Sequence, residues 1–331
     1  GLLDLDHVII DHRQGAERSQ TRAVVAFDQA RRGIAAWLAD PAPMGALDFV
    51  STEATLAAGF VVKDPAKLLD DLIGSVPELG ASIQRLRDEH GFDLQALAAP
   101  LGGELAIAVD GPLLPTPAWK LVLEVYDPAR LQAAFEDLVR RLDAELASQG
   151  KPGVELRTLK QRGRTSYALV AKTGGSHPEI HYLYADGYLV MAPSRALLDR
   201  ALQVKESGAT LVTSARFQEL LPEDRQVNFS AVVFHDLGQV LGPLAEQAGR
   251  AVQQGTGHPG AGAALALAGP TLSYAYGEDD RIVFASNRQS GPLGFNLGNL
   301  VGLGGIAGMA GMADGDHGNH DSAIESDESN D

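Results

Sequence analysis

Four stretches of the chain repeat one arrangement of apolar positions around an aspartate or a serine. Apolar residues stand two and four positions before this residue, with the period of two that is typical of a β-strand. Apolar residues also stand four and eight positions after it, a spacing that keeps side chains on one face of a helix. Each stretch therefore predicts a strand followed at once by a helix. The boundary residues are Asp64, Asp127, Ser194 and Asp236.

Aspartate and serine are favoured at such a boundary because their side-chain oxygen accepts a hydrogen bond from an amide of the first helical turn. Pro65 and Pro128 follow two of these residues, and proline suits the first helical position, where its missing N–H would have no partner. A cap contributes about 1 kcal/mol, whereas truncation of a buried leucine to alanine costs about 2–5 kcal/mol. We interpret the four boundary residues as structural N-caps rather than as metal-binding or acid–base carboxylates.

Further alternating runs between the four units predict paired strands. The run "IHYLYADGYLVMA" predicts a hairpin that turns at Asp186 and Gly187, because Asp-Gly suits a two-residue turn. The run "TLSYAYGEDDRIVFAS" predicts a final strand pair with a polar turn over 277–280. Short paired strands followed by capped helices are typical of an α+β fold. We expect antiparallel sheet built from repeated strand–helix units, with the helices packed on one face.

Composition divides the chain into four parts. Residues 1–45 predict a strand and helix segment, for which an origin as the end of an upstream part stays open. Residues 46–290 hold the repeated α+β core, with two subdomains that meet near 150–175 as an alternative division. Residues 291–313 form an apolar, glycine-rich segment without charge. Residues 314–331 form an acidic tail that is predicted to be disordered.

Charge and cysteine content exclude several classes of function. The formal net charge is −16, and the chain stays acidic even without its acidic tail. A nucleic-acid surface needs a basic patch that displaces counterions, so nucleic acid is excluded as a partner. The chain has no cysteine, which rules out disulfides and thiolate metal sites.

Residues suited to chemistry stand near the predicted caps. Lys63, Glu124, Tyr126 and His235 are predicted to share a register on one sheet face, opposite the helices. A base, an acid and a hydroxyl in such a group can carry out general acid–base chemistry. The solvated face of an antiparallel sheet carries the same residue types, however. We therefore keep the four residues as candidates for ligand binding and predict no catalytic residue.

The C-terminal region carries two further candidate features. Gly294, Gly298 and Gly302 show the small-residue spacing of close helix contacts in membranes, although so many glycines disfavour a helix. A surface segment and a membrane-associated or self-associating segment both stay open for 291–313. His317 and His320 lie among aspartates and are weak candidates for metal binding. The sequence otherwise predicts no metal site and no cofactor.

Over residues 45–290 the chain resembles the bacterial DUF3352 family. The segments that carry the resemblance are "LDFVSTEATLAAGFVVKDPAKLLDDL", "GFDLQALAAPLGGELAIAVDG", "LVLEVYDPARLQAAFEDL", "LYADGYLVMAPSRALLDRAL", "TLVTSARFQELLP" and "VNFSAVVFHDLGQVL", in that order. The resemblance implies an envelope protein of uncharacterised function with an N-terminal membrane or lipoprotein anchor, and it supplies no catalytic residues. The chain starts at Gly1 without such an anchor. We expect a cell-envelope or extracellular location, with a cytoplasmic one still open.

Three functions fit these observations. The first is a non-enzymatic, envelope-associated protein that binds an unknown protein or acts as a scaffold, because every repeated residue has a structural role. The second is a carrier of an apolar ligand between sheet and helices, in a cavity of roughly 300 Å³ or more lined by Phe60, Leu123 and Phe234. The third is a hydrolase of unfamiliar type. Membrane association would occur through 291–313 or through an anchor ahead of Gly1.

Overall fold

A computed structural model gives the fold of the chain. It describes residues 2–14, 19–75, 77–112, 116–161, 163–172, 179–223, 226–236 and 269–288. These residues belong to one compact unit, Gly1–Gly294, and the second unit, Phe295–Asp331, lies wholly outside the described residues. The predictions for the helix after Asp236, for 291–313, for the acidic tail and for His317 and His320 therefore lie outside the described residues.

The described residues form one antiparallel sheet of twelve strands, with helices packed on it. In space the strands follow the order β1-β2-β12-β11-β10-β3-β4-β5-β9-β8-β7-β6, so β1 and β6 are the two edges. The strands are β1 (Leu5–Gln14), β2 (Ser19–Phe27), β3 (Leu56–Val61), β4 (Leu101–Val109), β5 (Trp119–Val125), β6 (Val154–Gln161), β7 (Arg164–Ala171), β8 (Ile180–Ala185), β9 (Tyr188–Ala192), β10 (Ala231–His235), β11 (Thr271–Gly277) and β12 (Arg281–Arg288). The helices are α1 (Pro65–Ser75), α2 (Pro77–His90), α3 (Leu94–Ala98), α4 (Pro128–Ser148), α5 (Arg195–Ser207) and α6 (Ala215–Gln218), with 3-10 helices at Leu2–Asp4, Gly33–Ala36, Gly45–Phe49 and Leu211–Thr213.

The predicted α+β class with an antiparallel sheet is confirmed. Asp64, Asp127 and Ser194 stand directly before α1, α4 and α5. The side chain of each accepts a hydrogen bond from a backbone amide of the first helical turn, at 3.0, 2.9 and 3.4 Å respectively. Asp236 directly follows β10, and its carboxylate accepts a hydrogen bond from the Arg216 guanidinium at 3.0 Å.

Helices lie on both faces of the sheet rather than on one, because neighbouring units present their apolar positions to opposite faces. In β5, Leu123 and Val125 belong to a cluster with Leu131 of the helix that follows, α4. In β9, Val190 belongs to a separate buried cluster with Leu198 of its own following helix, α5. We call these two sides the α4 face and the α5 face. Within each unit, the helix packs on the face to which its own strand directs its apolar residues. The register between neighbouring strands decides which face of the sheet this is.

The sheet includes the two N-terminal strands, β1 and β2. It also includes β6 and β7, which lie at the alternative subdomain boundary near 150–175. Strand β2 pairs with β12 from Ser19–Arg288 to Ala26–Arg281, and β1 pairs with β2. Strands β1 and β2 of the N-terminal segment are therefore part of this sheet. On the other side, β5 pairs with β9, and β8, β7 and β6 follow in turn.

Local turn chemistry is as the sequence predicts. Asp186 and Gly187 connect β8 to β9 with φ angles of 51° and 85°. A two-residue hairpin turn with both central residues in the left-handed region needs residues such as Asp-Gly. Strands β11 and β12 pair across the predicted polar turn, where the Glu278 amide donates to the Arg281 carbonyl at 2.9 Å.

Candidate functional site

The structure separates the four predicted ligand candidates. Strand β10 runs antiparallel to β3, which places His235 opposite Leu56, the first residue of β3. Lys63 and Tyr126 lie beyond the last residues of β3 and β5, at the other end of these strands, and both are exposed. The alternation of side chains puts Glu124 on the α5 face and His235 on the α4 face. The four side chains therefore form no common site.

Two charged side chains that the sequence analysis did not single out meet in the interior. Lys120 of β5 and Asp110, which follows β4, are both 0% exposed, and Lys120 Nζ lies 2.5 Å from Asp110 Oδ2. Asp110 also accepts hydrogen bonds from the amide and the hydroxyl of Ser51, the former at 2.8 Å. The Lys120 ammonium donates a second hydrogen bond to the Phe49 carbonyl at 3.1 Å. The pair ties the segment around residues 49–51 to the β4–β5 hairpin.

The surroundings favour the charged form of Asp110 and disfavour that of Lys120. Burial alone would raise the pKa of Asp110, but the Lys120 ammonium and the hydrogen bonds from Ser51 outweigh it and hold that pKa below its usual value. Burial lowers the pKa of Lys120, and Asp110 opposes that shift. Both groups are closed off from solvent and already have protein partners. The geometry gives this pair a structural role.

A second polar group lies on the α5 face, beneath the 3-10 helix Gly45–Phe49. The Glu104 carboxylate accepts hydrogen bonds from the Tyr188 hydroxyl at 2.9 Å and from the Ala46 amide. Burial raises the pKa of Glu104, these hydrogen bonds oppose the shift, and the nearby Glu124 adds to it. Burial, followed by the Glu104 charge, raises the pKa of Tyr188. A Cβ atom added at Gly45 would lie 2.5 Å from the Tyr188 hydroxyl oxygen, so glycine keeps room for this contact.

A shallow cavity of about 230 Å³ opens beside Gly45. Its lining is mostly apolar and includes Met44, Leu47, Val212, Phe217 and Phe229. The residues predicted to line a ligand cavity lie elsewhere. Phe60 and Leu123 point to the α4 face, whereas Phe234 is buried in the core of the α5 face, so no single cavity can be lined by all three.

The edge strand β1 exposes a run of aliphatic side chains. Val8, Ile9 and Ile10 are 47%, 56% and 63% exposed. Within the described part of the chain β1 pairs with β2 alone, so its outer backbone groups have no strand partner. Proteins usually protect an exposed sheet edge with charged side chains, proline or a short strand. Strand β1 carries Asp6, Asp11 and Arg13 toward its ends, but its aliphatic centre, Val8 to Ile10, lacks that protection.

The other edge of the sheet shows the usual protection. Strand β6 exposes Arg157, Thr158, Lys160 and Gln161 to solvent. Charged and polar side chains on an edge oppose pairing with another strand. The two edges therefore differ at their centres, where β6 exposes Arg157 and Thr158 and β1 exposes aliphatic side chains. This difference makes β1 the candidate interaction element.

The sequence predicts a strand at β1 but not its position at an edge. The run "HVII" would suit a buried central strand equally well, since such strands carry consecutive apolar residues. The edge position follows from the pairing of β2 with β12, which joins Ser19 to Arg288. The sequence indicates the Lys120–Asp110 pair only weakly, through the position of the two residues on either side of the connection between two predicted strands.

No family model matches the chain, and the comparisons with curated proteins and with solved structures found no match. The resemblance to the DUF3352 family therefore stays a prediction. None of the described helices combines the length with the apolar composition that a membrane span needs. In the same part of the chain, no three His, Asp or Glu side chains are grouped so that they could hold a metal ion.

Proposed function

We propose that this chain is a non-enzymatic binding or scaffold protein that uses the β1 edge as its docking element. One observation carries the proposal: Val8, Ile9 and Ile10 are exposed together on a strand whose outer backbone groups are unpaired within the described residues. An exposed edge accepts an additional strand through backbone hydrogen bonds, and its side chains supply specificity. Burial of the aliphatic side chains contributes about 25 cal/mol per Å².

The ionisable groups of the interior support a non-enzymatic role. Asp110 and Lys120 are hydrogen-bonded to each other and to backbone groups, and the Glu104 carboxylate accepts hydrogen bonds from Tyr188 and Ala46. Groups with perturbed pKa values cluster at active sites, but structural ion pairs perturb pKa values as well. The partners of these groups favour the structural interpretation. An envelope location is part of the proposal and rests on the resemblance to the DUF3352 family.

Site-specific photocrosslinking in cells that produce the full chain tests this proposal. A photoreactive residue replaces Leu5 or Arg13, at the two ends of β1, and Thr158 on β6 serves as the matched control edge. We expect covalent adducts of defined mass from both β1 positions and none from position 158. An Ile9→Lys substitution should remove the adducts. Equal adducts from both edges, or none from β1, would contradict a docking role for this edge.

A second candidate function, binding of a small apolar ligand, is favoured by the cavity beside Gly45. Its volume of about 230 Å³ is below the roughly 300–1,000 Å³ of sites for drug-sized ligands. An apolar cavity of roughly 150 Å³ holds benzene, so indole is a suitable probe. We expect saturable indole binding by calorimetry that is lost in Val212→Phe, which fills the cavity. Binding that persists in this variant would place the ligand elsewhere.

A further inference from the structure

We infer that β1 pairs with the β1 strand of a second copy of this chain, in an antiparallel register centred on Ile9. This inference rests on the proposed docking role of β1 and identifies its partner. The pairing would join two sheets into one continuous sheet across a two-fold axis. Such an interface is isologous: when residue i faces residue j, residue j also faces residue i.

Two-fold symmetry restricts the register to very few choices. The axis between two identical edge strands in a continuous sheet runs perpendicular to the sheet, so both copies keep the same face on the same side. Residues directly opposite each other in an antiparallel pair point to the same face. Successive residues of a strand point to opposite faces, so the register must be centred on a residue and not between two. Within the aliphatic run the centre is Val8, Ile9 or Ile10.

Over the five central residues, 7–11, only the register centred on Ile9 keeps every aliphatic residue opposite another aliphatic residue. It places Ile9 opposite Ile9, and Val8 opposite Ile10 on both sides of the axis. One step further out it places His7 opposite Asp11, again twice. The contact therefore pairs aliphatic side chains at its centre and complementary polar groups at both ends. Aliphatic pairs and complementary polar pairs directly opposite each other both stabilise a sheet.

The two neighbouring registers set carboxylates against aliphatic side chains. A register centred on Val8 places Ile10 opposite Asp6, and one centred on Ile10 places Ile9 opposite Asp11. Each mismatch occurs twice because of the symmetry. Burial of a carboxylate against an apolar group without a partner is costly. The sequence of β1 thus selects one register among those that symmetry allows.

The geometry of β1 suits this contact. Strand β1 pairs regularly with β2 from His7 to Gln14, and its one irregularity lies between Leu5 and His7, outside the five central residues. In the single chain His7 Nδ1 lies 2.7 Å from Asp6, and Asp11 accepts a hydrogen bond from Arg13 at 3.0 Å. Both contacts are exposed to solvent, and exposed contacts of this kind contribute little to stability. Their exchange for contacts to a second copy therefore costs little.

Analytical ultracentrifugation of the full chain over about 1–500 μM tests for the dimer. We expect a monomer–dimer equilibrium whose dissociation constant rises at least about tenfold in Ile9→Lys, which sets two lysines against each other at the axis. Thr158→Lys, which adds the same charge to the β6 edge, is the matched control and should leave the equilibrium unchanged. Circular dichroism at low concentration checks that each variant is folded.

Cysteine substitution tests the register directly, because the chain has no cysteine of its own. Opposite residues in an antiparallel pair have Cα atoms roughly 4.5–5.5 Å apart, within the range of a disulfide. Ile9→Cys should therefore form a disulfide-linked dimer under mild oxidation, and Val8→Cys or Ile10→Cys alone should not. A mixture of the last two variants should form a mixed dimer.

The possible results separate this inference from the proposed function. Dimerisation with the predicted cysteine pattern supports the self-pairing. A chain that stays monomeric at every concentration, or a dimer that is indifferent to Ile9→Lys, overturns it. If photocrosslinking from Leu5 or Arg13 then yields adducts with a different protein, the docking role of β1 stands and only the identity of the partner is wrong. If neither experiment gives a β1-dependent contact, both proposals fail.

Discussion

At the scale of single residues, the buried pair of Lys120 and Asp110 should dominate the response to mutation. Both side chains are 0% exposed, and removal of one leaves the other as an unpaired charge in the interior. Breaking a buried pair in this way costs about 3–5 kcal/mol. We expect Lys120→Met to lower the free energy of unfolding by that amount, as measured by urea denaturation.

Two further variants make this prediction specific. Asp110→Asn combined with Lys120→Met removes both charges, and we expect it to recover part of the loss, because no unpaired ion remains in the interior. Lys160→Met removes an exposed lysine of β6 and should change the free energy of unfolding by less than about 0.5 kcal/mol. If Lys120→Met costs no more than Lys160→Met, the interior pair does not stabilise the fold.

Glu104 should make the free energy of unfolding depend on pH, and the direction of the shift in its pKa sets the sign of this dependence. Burial raises its pKa in the folded state above the usual value, so the folded chain binds this proton more tightly than the unfolded chain does. The resulting stabilisation is fully present below the unfolded pKa and is lost as the pH rises through the raised folded pKa. Glu104→Gln cannot ionise and should lack this loss. Urea denaturation at pH 4 and pH 8 should therefore show the variant gaining on the wild type at the higher pH.

A matched control for the pH experiment is available on the surface. Glu206 is 60% exposed and pairs with Arg164, so Glu206→Gln removes one exposed carboxyl and leaves the hydrogen-bond partners of Glu104 in place. The same measurement on this variant shows how stability responds to the loss of an exposed carboxyl, for comparison with Glu104→Gln. Parallel curves for Glu104→Gln and the wild type would show that Glu104 does not titrate differently in the folded state.

At the scale of elements, the cap of the longest described helix should be measurable by itself. The Asp127 side chain accepts a hydrogen bond from the Arg130 amide at 2.9 Å at the start of α4. Asp127→Ala should lower the free energy of unfolding by about 1 kcal/mol, and Asp127→Ser should retain most of the stability, because serine caps comparably. Equal midpoints for all three proteins in urea would show that packing alone fixes the start of α4.

Elements whose determinants lie within a few residues were predictable from the sequence. The turn at Asp186–Gly187 needs two left-handed residues, and the sequence supplies them at adjacent positions. The caps at Asp127 and Ser194 depend on the following helical turn alone. Packing partners were not predictable in this way. Leu131 and Leu198 stand at equivalent positions of their units, yet they lie on opposite faces. The reason is the register of β5 and β9, which sets Leu123 opposite Leu189 rather than opposite Val190.

The candidate site depends on distant pairings, and for this reason the sequence did not reveal it. Alignment of the strands by their caps assumes that all strands run in the same direction. Strand β10 is antiparallel to β3, however, so His235 and Lys63 lie at opposite ends of these two strands. The edge position of β1 depends likewise on the contact between β2 and β12, which are distant in the chain. No local pattern in the sequence specifies either pairing.

At the scale of the whole molecule, the two edges of the sheet should respond differently to protein concentration. Amides in the central strands are hydrogen-bonded to neighbours on both sides, while half of the amides of β1 and of β6 point outward. If β1 pairs with a second copy, its outward amides become protected as the dimer forms. Hydrogen exchange followed by mass spectrometry should then show slower exchange in the peptide covering 5–14 at 500 μM than at 1 μM, by at least about tenfold.

The peptide covering 154–161 should exchange at the same rate at both concentrations, because the charged side chains of β6 oppose pairing. Ile9→Lys should make the exchange of 5–14 independent of concentration as well. The same slowing at both edges would instead indicate non-specific association, and a constant rate in 5–14 would show that the aliphatic edge stays open to solvent.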